Sequence, residues 1–278
     1  MLKTLLAIED DGVSADFAGP RLSSAELGAE CAARADVYRL LSGAFVEEPG
    51  PSFVQAMRRP EVLQSLAGAG VRFDADFTTP DTESLVERLA CEYTTLFAAT
   101  GGFPPVESVR LTGRYKQDPH FKVKQTYAKW GFALHKGRFE VFPDQLGVEL
   151  MFVAELLERC SLALARGDEA GYRRLEREVK RFWTQHPGRW VRGYARLIEQ
   201  AAEHSFYREM AHFLGGFADE EIAAMGLRID DLDHGRAVVP KAEIRVEFNP
   251  DEPVCNSCEG APTGPSHAAP VHTLHDLR

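Results

Sequence analysis

The stretch from Glu140 to Arg166, EVFPDQLGVELMFVAELLERCSLALAR, constrains this chain more than any other. Pro143 and Asp144 predict a helix start, because Asp is a good N-cap acceptor and a helix rarely runs back through the residue before a proline. Projected at about 100° per residue, Leu146, Leu150, Val153, Leu156, Leu157, Cys160 and Leu164 share one wide arc, and Glu155, Glu158, Arg159 and Arg166 fall opposite. A helix with so broad an apolar face belongs at the centre of a core. Glu149 projects into the middle of that arc. Buried without a partner, a carboxylate there costs several kcal/mol or takes up a proton. It is therefore either a satisfied structural group or one that faces a binding site.

The rest of the chain must supply walls for that helix, and its periodicity is helical almost throughout. Ser23 with Glu26 forms a capping box, opening a helix through Cys31, Ala35, Tyr38, Leu41 and Phe45 that stops before Pro49-Gly50-Pro51. Short helices follow on either side of Pro60. Asp81 caps a helix carrying Leu85, Leu89, Tyr93 and Leu96, expected to end at Gly101-Gly102. Residues 101–120 are predicted as a long loop, of the kind that is functional or mobile. Val123, Tyr127, Trp130 and Leu134 form the next face, with Pro119 in its first turn. After the central helix, Asp168 caps one through Phe182, His186-Pro187-Gly188 turns the chain, and Trp190 to Ala201 and Phe206 to Phe217 give two more. With no alternating strand pattern, residues 21–225 read as one all-α domain. Residues 1–20 read as a flexible arm and 226–278 as an extended or disordered tail.

Composition narrows the function by exclusion. A formal charge of −10 and a pI near 5.4 disfavour nucleic-acid and acidic-membrane partners and suit cationic ones. No apolar run approaches the ~20 residues of a membrane span. The N-terminal apolar run is too short, and too soon acidic, for a signal peptide, so a cytoplasmic location is expected. Five cysteines, three of them in helical patterns, do not form a disulfide framework. There is no phosphate-binding glycine loop and no nucleophile elbow. Glu209-x-x-His212 is the one such pair on a predicted helix, whereas a di-metal bundle requires two and further carboxylates. No catalytic residue is assigned, and the chain reads as a non-enzyme.

PDQLGVELMFVAELL resembles the P-D-H-L-x-x-E-L-x-F signature of the TorD/DmsD family, cytoplasmic maturation chaperones of molybdenum-containing redox enzymes. Gln145 stands where that family usually has His. Glu92-Tyr93 with Leu96-Phe97, Pro104-Pro105 with Glu107-Ser108-Val109, and the spacing of His186, Trp190 and Phe206-Tyr207 extend the resemblance over residues 25–220. It implies a cleft that binds signal peptides, framed by Tyr93, Leu96, Phe97, Pro105, Asp144 and Gln145. A twin-arginine leader sets two guanidinium groups beside an apolar stretch, so its receptor needs carboxylates next to exposed apolar surface. Asp144, Glu149 and Glu107 are candidates for the first, and Leu96, Phe97, Pro104 and Val106 for the second. The implied partner is a molybdopterin-dependent oxidoreductase subunit and its leader peptide, held by a monomer or a domain-swapped dimer. No cofactor is required.

The tail holds a second set of donors. Cys255, Cys258, His267 and His272 are chemically complete for zinc, or for contact with an iron–sulfur cluster, although their spacing matches none of the usual zinc motifs. They raise an alternative, an assembly factor that handles metal through its tail.

Overall fold

Helix starts in this protein are set by side-chain acceptors close in sequence. The structure is a computed structural model and describes residues 22–99, 101–134 and 141–233. Helix α1 (Ser24–Phe45) opens on the Ser23/Glu26 capping box, α5 (Thr82–Tyr93) on Asp81 and α9 (Glu169–Gln185) on Asp168. Each cap satisfies amide groups that the first helical turn leaves without partners. Prolines open α2 (Pro51–Met57) and α3 (Pro60–Gly68), where a missing N–H costs nothing. A single turn, α4 (Ala75–Thr78), follows. Among the described residues the fold is all-α and no strand is formed.

The central helix, α8 (Leu146–Ala165), is buried on nearly every face, with Leu146, Leu150, Phe152, Val153 and Leu156 fully enclosed. It begins one residue later than an Asp144 cap would have it. Gln145 is the N-cap, its Oε1 accepting from Val148 N at 3.1 Å. Helix α1 runs antiparallel along α8. Ser42 Oγ donates to Gly147 O at 2.7 Å at one end, and at the other a Cβ on Gly28 would lie 3.9 Å from Ser161 O. At Gly147 a Cβ would come within 2.7 Å of Val46 Cα, so only glycine permits this approach.

Around this pair stand α9, α10 (Val191–Ala201) and α11 (Ser205–Ala224), the last running unbroken through Glu220. A buried polar chain ties α1, α9 and α11 together. Trp183 Nε1 donates to Tyr38 Oη at 2.7 Å, Tyr38 Oη donates to Glu221 at 2.6 Å, and Arg34 grips both oxygens of the same carboxylate.

Three expectations are corrected. Helix α5 does not continue regularly to Gly101, because Thr94–Ala98 widens into a π turn after Tyr93. The predicted loop 101–120 contains a helix, α6 (Glu107–Thr112). Helix α7 (Asp118–Trp130) stops at Gly131, which takes a left-handed conformation, and Leu134 lies beyond it on the surface.

The packed structure also runs past Met225 to Asp233. That carboxylate is 3% exposed and holds Arg110 through two bonds of 2.6 and 2.7 Å, while Leu232 N donates to Arg189 O. The arm and the remaining tail, with Cys255, Cys258, His267 and His272, lie outside the described residues. Removing the Asp233 carboxylate would leave Arg110 largely buried and unpaired, at a cost of about 3 kcal/mol. Asp233→Ala is therefore expected to lower the denaturation midpoint, as is truncation after residue 225. Truncation after residue 238 is expected to leave it unchanged, which urea titration of the three variants measures.

Candidate functional site

The region around the start of α8 holds two neighbouring features, a buried acidic cluster and an open groove. Both depend on how the loop before α6 is fastened to the α8 start. Glu107 N donates to Asp144 O, Leu146 N donates to Pro105 O, and Val106 forms an antiparallel bridge with Gln145. This pins Pro104-Pro105-Val106 across the end of the central helix.

Asp144 completes the fastening. Its Oδ2 accepts from Ser108 N at 3.0 Å and from Ser108 Oγ, and its Oδ1 lies 3.1 Å from His120 Nδ1. It thus caps α6, a helix 36 residues earlier, rather than its own. With no exposed surface, it cannot meet a peptide arginine from the groove. Glu107 is equally buried, accepting from His186 Nδ1 at 2.9 Å. The reading of these two residues as cleft carboxylates is therefore corrected, the cause being partners that lie far away in sequence.

Glu149 is fully buried beside Glu107 and the Trp190 indole, and no Lys or Arg among the described residues forms an ion pair with it. Both its oxygens, Glu107 Oε1 and Trp190 Nε1 lack a partner with full hydrogen-bond geometry. Burial first, then the charges of Glu107 and Asp144, hold the Glu149 carboxyl well above the usual carboxylate range. One proton on Glu149 answers this arrangement. It can be donated to Glu107 Oε1, leaving the other Glu149 oxygen to accept from Trp190. Glu107, Glu149 and His186 also offer one ligand atom each within 4.8 Å of one another, the one set of this kind among the described residues.

The groove lies on the other side of the loop, a cavity of about 410 Å³. Phe97, Pro105 and Val106 form its floor. Tyr115 and Phe142, stacked with ring centroids 5.0 Å apart, form one wall, and Glu47 and Glu48 lie at the rim where α1 ends. Tyr93 Oη and Gln145 Nε2 converge on the Phe45 and Val46 carbonyls, joining α5, α8 and the α1 C-terminus at the groove. Burial, then Glu47 and Glu48, push the Tyr93 hydroxyl above its ordinary range, which sets these two carboxylates near the phenol.

Of the residues singled out from sequence, Tyr93, Phe97, Pro104, Pro105, Val106 and Gln145 line one cavity. Leu96 does not, and is buried in the core. Glu149, Glu107 and Asp144 are buried behind the loop. Sequence reasoning missed Glu47, Glu48, Tyr115 and Phe142. The two glutamates carried a signal, because carboxylates just beyond a helix C-terminus oppose its dipole. Nothing local marked the two rings.

With this geometry in view, residues 59–196 match the profile of the nitrate reductase delta subunit family. The chain belongs to this family. Its members are maturation chaperones of redox enzymes rather than catalysts, and they act with redox-enzyme subunits. The matched span contains α6, α8 and every groove residue except those at the α1 end. One similar solved structure is "Putative Redox Enzyme Maturation Protein" from Archaeoglobus fulgidus, 19% identical, with 66% of this chain and 93% of that chain covered at a TM-score of 0.40. No curated protein matches the chain. No helix among the described residues is long and apolar enough to cross a membrane.

The buried cluster yields a pH signature. Glu149 has its carboxyl raised in the folded protein from an ordinary value of 4.5. Its stabilising contribution is therefore complete below that ordinary value and is lost as pH rises toward the folded one. Glu149→Gln keeps the shape and does not titrate. The stability of wild type relative to Glu149→Gln is expected to fall as pH rises from 5, by at most about 1.4 kcal/mol per pH unit, read from urea midpoints at pH 5, 6, 7 and 8. A difference that stays constant across this window would mean that Glu149 is ionised and paired. A wild-type midpoint lowered by a chelator would mean that a cation, not a proton, neutralises the cluster.

Proposed function

We propose that this chain is a chaperone for an apo-redox enzyme of the molybdopterin-dependent kind, holding the subunit or its twin-arginine leader while the cofactor is inserted. The groove is its leader-binding surface. The observation that carries this reading is the juxtaposition in one cavity of an aromatic and proline lining with two carboxylates at the rim. A leader presents adjacent arginines followed by an apolar run. Guanidinium groups at Glu47 and Glu48 would form charge-assisted hydrogen bonds, and the α1 C-terminal carbonyls add favourable negative potential. The apolar run would cover Phe97, Val106 and the Tyr115–Phe142 pair. A volume of about 410 Å³ admits a few side chains of such a peptide, not a folded domain. The carboxylates assigned from sequence, Asp144, Glu107 and Glu149, stabilise the loop that shapes the groove, while the rim supplies the charge.

Calorimetric titration with a synthetic peptide bearing two adjacent arginines and an apolar run tests this. Glu47→Gln with Glu48→Gln is expected to lower affinity about tenfold, about 1.4 kcal/mol. Glu87→Gln, on the exposed face of α5, is expected to change nothing. Affinity should fall as salt is raised, because the rim is solvent-exposed and screened over about 8 Å at physiological ionic strength. Asp144→Asn should lower stability without a matching loss of rim charge. Equal affinity of the double variant and wild type would move the arginine site elsewhere. Binding of a leaderless client with no response to peptide would make the chain a holdase for the mature subunit.

A further inference from the structure

The α1–α8 seam carries a feature that client binding does not use. Cys31 and Cys160 are both buried, one on each helix, and both line a cavity of about 170 Å³ at the end of the seam away from the groove. The helix register places them face to face. Gly28, one turn before Cys31, sits against Ser161, the residue after Cys160, so closely that a Cβ on Gly28 would lie 3.7 Å from Ser161 Oγ. Both stand on buried faces of the seam, which distinguishes them from Cys91, exposed on α5.

We propose that Cys31 and Cys160 form a reversible disulfide that staples α1 to α8 when the protein meets a hydroperoxide. The pair is chemically unequal. The neighbouring Cys160 thiol favours the Cys31 thiolate, opposed by burial and aided by the Arg34 guanidinium one turn on. The same contact and burial push Cys160 up. Cys31, one turn from Arg34 on α1 and lining the same cavity, is assigned as the nucleophile and Cys160 as the resolving thiol. The Cys31 thiolate attacks one peroxide oxygen. The O–O bond breaks, Cys31 becomes a sulfenic acid, and the departing oxygen leaves as hydroxide, which the Cys31 proton converts to water. Cys160 then attacks the Cys31 sulfur, the S–O bond breaks, and the Cys160 proton leaves with the hydroxyl as a second water. Two thiols lose two electrons in all, and the peroxide gains them. A cavity of this size admits a hydroperoxide and excludes a bulky peptide disulfide. The reaction is a switch rather than a structural framework, because a dithiol reductant returns both thiols.

The full chain with Cys91, Cys255 and Cys258 replaced by serine isolates the pair. After complete reduction, treatment of the native protein with equimolar hydrogen peroxide is expected to remove the mass of two hydrogens. Non-reducing peptide mapping should recover a peptide linked through Cys31 and Cys160. The midpoint of thermal unfolding should rise by roughly 5–10 °C and return on reduction, since the link closes a long loop in the unfolded chain. Cys31→Ser or Cys160→Ser should each abolish the link and the shift. The same mapping on peroxide-treated wild type serves if either variant fails to fold. Recovery of both residues as free thiols after native treatment would overturn the proposal, and so would sulfinic acid on Cys31 without a linked peptide.

Discussion

The antiparallel contact of α1 with α8 is the constraint on which the rest of this structure depends. It closes at Gly147, where a side chain would collide with the Val46 backbone, and Ser42 bonds across the seam at the same point. Because α8 can approach so closely, its N-cap residue reaches the last carbonyls of α1. Gln145 is suited to this place by having both an acceptor and a donor in one side chain. Its oxygen caps α8, and its amide nitrogen donates to Phe45 O at 2.6 Å. Both groups are thereby satisfied in the interior, where an unpaired one would cost about 1–3 kcal/mol. The groove is a consequence of this junction, since its floor and rim are the ends of the elements that meet there.

Behind the groove the protein buries three carboxylates, and each is made tolerable differently. Asp144 accepts from a backbone amide, a hydroxyl and an imidazole. Glu107 shares its charge with His186. Glu149 has neither cation nor donor with full geometry, so the low dielectric around it favours the neutral form. A neutral carboxyl between Glu107 and Trp190 is a donor and an acceptor at once, which is what those two orphaned groups require. The cluster holds the α6 loop against α8, and through that loop it positions Pro105 and Val106 in the groove floor.

How much of this was legible in the chain follows the range of the interactions. Ser23, Asp81 and Asp168 cap helices three residues away, and sequence identified all three. The arc of α8 and the place of Glu149 within it were equally plain, because both follow from periodicity within one helix, although periodicity left open whether Glu149 was buried or faced a cleft. Asp144 was misassigned because its true partner, Ser108, is distant, and the local rule that favours Asp at a helix start was satisfied in trans. The boundary at Met225 failed for the same reason. Asp233 belongs to the core through Arg110, 123 residues earlier, and a polar segment holding one long-range ion pair has no period to reveal it. Tyr93, Phe97 and the two prolines were found through resemblance rather than through pattern.

The position of Glu47 and Glu48 follows from the same junction. Two carboxylates at the C-terminal end of a helix work against its dipole by about 0.3–1 kcal/mol each, and α1 has no basic residue in its last turn to offset them. The helix end and the carboxylates add their negative potentials over one small volume, and the described residues lining it are largely apolar. A cation arriving there gains from both sources at once. Sites that conflict with local rules while the surrounding structure obeys them are where function is expected, and here the conflict lies at the rim of the groove, not in the buried cluster. The acids deep in the core serve to fasten the α6 loop to α8, whereas those at the rim add negative potential beside an apolar lining, the combination that a cationic and apolar peptide complements.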